Sequence, residues 1–138
     1  MCIRDRYYNR GYFYSSDARD YDKPYFQKIN GKEIPFVEFP KESLYDDATY
    51  YFVTDSLPVR DNIKPPSFVL ENLKADFDAL ANLGDRCISY IFHPQLSGRP
   101  GRAGAIDELL TYMLERGAWV APAKEVAAYM IAQHGPFL

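Results

Sequence analysis

The chain has 138 residues, 47% of them apolar, which is enough for one domain with a sizeable core. Its 16 basic and 19 acidic side chains leave a formal net charge of -3, and the two signs are interspersed, which excludes the basic field that nucleic acid requires. No stretch approaches the roughly 20 consecutive apolar residues of a membrane-spanning helix.

The first residues, Met1-Cys2-Ile3-Arg4-Asp5-Arg6, have no pattern of their own. They match the reading-frame translation of a transposon mosaic end used in sequencing libraries, ATG TGT ATA AGA GAC AG completed by a purine. Residues 1–6 are therefore expected to be an adapter scar that carries no information on the fold, with the native chain cut upstream of Tyr7. Without Cys2, Cys87 stands alone, so no disulfide is expected within residues 7–138 and the redox compartment is undefined. Residues 7–65 are rich in Tyr, Phe, Asp and Pro without helical periodicity, which predicts short strands and long ordered loops. Strands are predicted at 11–14 and 34–39. Pro35 makes the second an edge strand or delays its start to Phe36.

From residue 66 onward the pattern alternates. A helix is predicted over 68–83, with Ser67 as N-cap, Leu70, Leu73, Phe77 and Leu80 as its apolar stripe, and Gly84 as its stop. An apolar run at 87–92 has the length of a strand covered on both faces. A second helix follows at about 102–116, with Ile106, Leu109, Leu110 and Met113 inward and Gly117 at its end. A short strand at 119–121 and a helix at 123–133 close the chain, and Trp119 with most Phe residues is assigned to the core. Such alternation predicts an α/β fold in which the strands at 87–92 and 119–121 form a parallel, right-handed crossover.

The chemistry concentrates around the apolar run. Along a strand, Cys87, Ser89, Ile91 and His93 share one face, and the bulkier Ile88, Tyr90 and Phe92 share the other, under the helices. Pro94 has no N–H to continue a ladder, so His93 is expected at the strand's C-terminal end, where parallel α/β folds collect catalytic residues. Chemistry alone leaves His93 open between a catalytic acid and a strand-end hydrogen bonder. Arg99 and Arg102 stand at a helix start, where their charge opposes the helix dipole and calls for a carboxylate or an anionic ligand. For Arg102 the readings are an ion pair that fixes the loop carrying His93, or a substrate contact.

The run Phe92-His93-Pro94-Gln95-Leu96-Ser97-Gly98-Arg99-Pro100, with Arg102 beyond it, resembles the last motif of the polysaccharide deacetylase (NodB-homology) family. The branch it is most similar to holds peptidoglycan-deacetylase-like proteins and metal-independent allantoinases. Two further patches agree in order and spacing. Tyr12-Phe13-Tyr14-Ser15-Ser16-Asp17, followed by Asp22-Lys23-Pro24-Tyr25, is similar to the family's Tyr-Ser-Ser-Asp and Asp-x-Pro-Tyr segment. Val37-Glu38-Phe39-Pro40, leading to Leu44-Tyr45-Asp46-Asp47, is similar to its Glu-x-Pro and Asp-Asp stretch. Together they cover residues 7–133.

The resemblance implies part of a deformed (β/α) barrel, its N-terminal strands missing, that hydrolyses non-peptide carbon–nitrogen bonds with a divalent metal, zinc above all. The substrate it implies is the N-acetyl group of a glycan, or a small amide such as allantoin. It makes His93 the general acid. It places Asp46, Asp47 and Tyr25 on the substrate side, where the residues themselves also allow solvated loop positions. The family's Thr-Phe-Asp-Asp-Gly motif and its paired-His motif do not occur in the sequence, so no metal site is expected in this chain and the fragment alone is expected to be inactive. A noncatalytic carbohydrate-binding or interaction module is the alternative from another class, and an oligomer is compatible with either.

Overall fold

The structure, a computed structural model, describes residues 3–54, 60–61, 63–84 and 86–135. The chain forms two compact units, one of Met1–Lys41 with Ala121–Leu138 and the other of Glu42–Val120.

The first unit opens with helix α1 (Ile3–Tyr8) and holds a three-stranded sheet of β1 (Tyr14–Ser15), β2 (Tyr25–Ile29) and β3 (Lys32–Glu38), in the order β1-β3-β2. Strands β2 and β3 form an antiparallel hairpin in which Ile29 pairs with Lys32. Asn30 and Gly31 turn the chain with φ of 51° and 79°. An Asn-Gly pair with both φ angles positive matches the right-handed twist of the flanking strands, which is why this dipeptide is favoured in two-residue turns. Strand β3 is central and not an edge, since β1 pairs with it in parallel at Val37 and Glu38. Pro35 is tolerated there because the register shifts between the pairs Phe26–Val37 and Lys28–Glu33. The predicted strand at 11–14 survives only at its end, in β1, and β2 was not predicted.

The second unit is mainly helical. A 3₁₀ turn (Ser43–Tyr45) leads into the one-turn helix α2 (Ala48–Tyr51), then β4 (Val53–Thr54) and β5 (Arg60–Asp61) pair antiparallel. Helix α3 (Pro66–Leu83) packs on α5 (Pro100–Glu115), and the short α4 (Pro94–Ser97) precedes α5. Tyr50, Tyr51, Val69, Leu73, Phe77, Leu109 and Met113 form the buried core, with Leu70 and Leu110 packed against it, so the predicted stripes face inward except at Leu80 and Ile106, which are half-buried outside this cluster. Lys74 and Glu108 (2.7 Å) and Tyr112 and Asp78 (2.7 Å) tie α3 to α5 at the rim. Gly84 and Gly117 end their helices at φ of 63° and 78°. Helix α6 (Ala123–His134) belongs to the first unit, where it packs on β3 and β1 and buries Ala127.

Several expectations require correction. Pro65, not Ser67, is the N-cap of α3, and Pro66 starts the helix, because proline's fixed φ suits the first turn and its missing N–H costs nothing there. Among the described residues, 87–92 join no sheet. Their described pairing is a single parallel bridge between Ile91 and Asp46, through Ile91 N–H to Tyr45 O (2.9 Å) and Asp47 N–H to Ile91 O (3.0 Å). Residues 119–121 form no strand either, and Trp119 and Val120 are exposed, so the expected crossover is not formed among the described residues. A strand exists only through a ladder with a neighbour, which apolar composition alone cannot supply. Among the Phe residues, Phe36, Phe39 and Phe77 are buried, whereas Phe13, Phe52 and Phe68 are exposed. The alternation at 87–92 does hold: Ile88, Tyr90 and Phe92 all pack against the core.

Candidate active site

Chain geometry brings His93 to Asp46 and Asp47. The bridge at Ile91 aligns residues 45–47 beside 91–93, so that both carboxylates reach the segment that ends at His93. His93 caps α4 with extended φ, and Pro94 at the first helical position turns the chain away. Asp47 is buried, its side chain 1% exposed. Its Oδ1 lies 2.6 Å from His93 Nδ1, and its Oδ2 accepts the His93 backbone N–H at 2.9 Å and the Ser97 hydroxyl. Asp46 Oδ1 stands 3.6 Å from the same ring nitrogen and accepts the Ala48 N–H at 2.9 Å.

An ionised carboxylate only accepts, so the Nδ1 facing Asp47 carries the hydrogen. Among the described residues no hydrogen bond engages Nε2, and the side chain is 37% exposed. The hydrogen bond to Asp47, joined by the charges of Asp47 and Asp46, holds the imidazole above its usual pKa against the opposing effect of partial burial. The ring is thus fastened at one nitrogen and able to give a proton at the other.

Among the described residues, Arg102 anchors the loop after His93 through a carbonyl and an aromatic ring, and not through the expected ion pair. Arg102 Nη1 donates to the Leu96 carbonyl at 2.8 Å, and its guanidinium lies 4.1 Å from the centroid of the Tyr51 ring. A short helix leaves its last carbonyls without partners, and a cation from the next helix satisfies one of them. Arg99 is exposed at the N-cap of α5, where its carbonyl accepts the N–H groups of Arg102 and Ala103. Tyr25 lies in the first unit, on β2, and its hydroxyl donates to Asp20 at 3.1 Å. The structure therefore gathers His93, Asp46, Asp47 and Arg102 in one unit. A small cleft adjoins Asp47, walled by Asp46, Ser97, Arg102, Tyr45, Tyr51 and Leu109. His93 does not line this largely apolar cleft.

Asp46, Asp47 and His93 place ligand-type atoms within 4.8 Å of one another, close enough to be a candidate divalent-metal cluster that sequence reading did not foresee. Their hydrogen bonds fit an ion poorly. Both oxygens of Asp47 already accept hydrogens from this chain, and an ion bound through Nδ1 would have to break its 2.6 Å contact with Asp47. The donor set is that of an Asp–His pair.

Sequence reading missed two further polar residues. Ser97 follows His93 by one helical turn, a spacing visible once α4 is known. Glu38 is wholly buried in the first unit and accepts hydrogens from Ser15 Oγ, Asp17 N (2.6 Å), Ala18 N (2.8 Å) and Gln27 Nε2 (3.1 Å). Burial pushes its carboxyl up, but the hydrogen bonds from Ala18, Ser15, Asp17 and Gln27 together outweigh burial and leave it below the usual value.

No family profile and no curated protein matches the sequence. Solved structures do match. A protein described as a polysaccharide deacetylase from Mycobacterium smegmatis is 29% identical with a TM-score of 0.80, over 91% of this chain and 43% of that one. The chain has the polysaccharide deacetylase fold. A second protein so described, from Pseudomonas aeruginosa, gives 22% identity and a TM-score of 0.78 over 98% of this chain and 44% of that one. Puue allantoinase gives 23% and 0.78, with the same coverage. The deacetylase-fold chain thus spans less than half the length of the structures it matches, and it carries part of the barrel of that fold.

Proposed function

We propose that this chain forms the proton-donating side of a hydrolase for non-peptide carbon–nitrogen bonds, whose longer parent removes the acetyl group from an N-acetylated glycan. One observation supports the reading most: His93 is fastened through Nδ1 to the buried Asp47 at 2.6 Å while its other ring nitrogen stays accessible. The tetrahedral intermediate of amide hydrolysis expels its amine readily only when that nitrogen is protonated. In this reading the Nε2–H of the imidazolium passes to the amine nitrogen as the carbon–nitrogen bond breaks, and the bonding pair goes to nitrogen. Acetate and the free amine leave, and His93 becomes neutral with Nδ1–H still on Asp47. Asp47 orients the ring and offsets its charge before transfer.

The divalent metal, zinc in the resemblance, and the carboxylate base belong to motifs that do not occur in this sequence, so the proposal assigns both to residues of the longer protein. Arg99, Asp46 and Tyr25 are proposed as substrate-side residues, and Arg102 as the anchor of the loop carrying His93. In the longer protein, His93→Ala is expected to lower kcat by about 100- to 10,000-fold with little change in substrate affinity, since the proton is delivered in the transition state. Near-normal turnover would remove His93 from the mechanism. A substrate panel of N-acetylated oligosaccharides and allantoin separates the deacetylase from the small-amide reading, and sugar binding without turnover of either would favour a noncatalytic module.

A further inference from the structure

Among the described residues, the carboxylate of Asp47 has one hydrogen-bond donor besides His93, the hydroxyl of Ser97. We infer that Ser97 is a positioning residue that sets the acid strength of His93 by sharing the charge of Asp47, an inference that rests on the reading of His93 as proton donor. Ser97 is buried at 4% exposure. Its N–H donates to the His93 carbonyl at 2.8 Å, so one turn of α4 returns its side chain to the carboxylate that holds the ring. Serine on a helix often spends its hydroxyl on a carbonyl of its own helix. Here the hydroxyl goes to Oδ2 of Asp47 instead.

The consequence for His93 follows from charge. Each donor to a buried carboxylate disperses part of its negative charge and so weakens its hold on the others. Without Ser97, Asp47 would depend on His93 alone, and the imidazolium would be held more tightly. The ring would then be a weaker acid. The geometry has reason to persist, because Oδ2 keeps the His93 N–H and the backbone of Asp47 stays bonded to Ile91. Among the described residues, the other ionisable groups around the pair are Asp46, 3.6 Å from Nδ1, and Tyr45, Tyr50, Tyr51 and Arg102, which share the cleft beside Asp47. Ser97→Ala alters none of them.

The test is an NMR titration of the ring protons of the 138-residue chain, in which His134 is the other histidine and serves as internal reference. Ser97→Ala is expected to raise the His93 midpoint by about half a unit or more, with His134 unmoved and Ser97→Thr restoring the original value. An unchanged or lowered midpoint in the folded variant overturns the inference. If Ser97→Ala does not fold, Ser97→Cys, of similar size but a weaker donor, must still raise the midpoint, and an unmoved one overturns the inference equally. In the longer protein the alkaline limb of the kcat/KM profile should move the same way. A midpoint that moves while the limb stays keeps the coupling of Ser97 to His93 and overturns His93 as the proton donor.

Discussion

His93 and Glu38 carry opposite pH signatures, each traceable to its hydrogen-bond partners. The pKa of His93 is raised in the folded chain, chiefly by the hydrogen bond to Asp47. Its stabilising contribution is therefore fully present below the ordinary imidazole value of about 6.5 and is lost as pH rises through the folded value. Urea unfolding of wild type and His93→Gln should show a stability gap that narrows as pH rises from about 5 to about 9. A constant gap would mean that the ring contributes packing and not charge. Glu38 behaves in the reverse sense, since hydrogen bonds hold its carboxyl below the usual value despite burial. Its contribution is present above the unfolded carboxyl value and lost as pH falls through the folded one. Glu38→Gln replaces one acceptor oxygen with an NH₂ group that must face either the N–H groups of Asp17 and Ala18 or the Gln27 amide and Ser15 hydroxyl, and a loss of about 3 kcal/mol is expected from urea unfolding at neutral pH. A loss under about 1 kcal/mol would show that the loop at 15–18 does not depend on the carboxylate.

At the scale of elements, the turn between His93 and α5 depends on one cation. Arg102 bonds the Leu96 carbonyl and stacks on Tyr51, so Arg102→Ala should cost about 2 kcal/mol and loosen α4. Because that turn also carries Ser97, amide exchange at Leu96 and Ser97 should rise in this variant while α3 keeps its protection. Equal loosening of α3 would indicate general destabilisation. The hairpin of β2 and β3 shows what local signals can do. Asn30-Gly31 announces the turn without reference to anything distant, yet β2 was overlooked because Tyr25-Phe26-Gln27-Lys28-Ile29 lacks strict apolar alternation. Helices α3, α5 and α6 were legible for the converse reason, that their apolar spacing is written within each segment.

For the whole molecule, the expectation concerns metal and activity together. The hydrogen bonds of Asp46, Asp47 and His93 favour an Asp–His pair, so the 138-residue chain should retain no stoichiometric zinc after dialysis and should not hydrolyse an N-acetylated oligosaccharide. Retained zinc that disappears in His93→Ala would make the cluster a metal site after all. The sequence by itself determined the long helices, the inward faces of Ile88, Tyr90 and Phe92 and the family likeness, because periodicity and motif are local properties of the chain. Only the tertiary structure decided that, among the described residues, 87–92 and 119–121 have no ladder, that Trp119 is exposed, and that Arg102 meets a carbonyl. It alone joined His93 to Asp47 across 46 positions of sequence and set Ser97 behind them. Such contacts depend on which segments become neighbours, and that is settled by packing of the chain as a whole, not by any one stretch of residues.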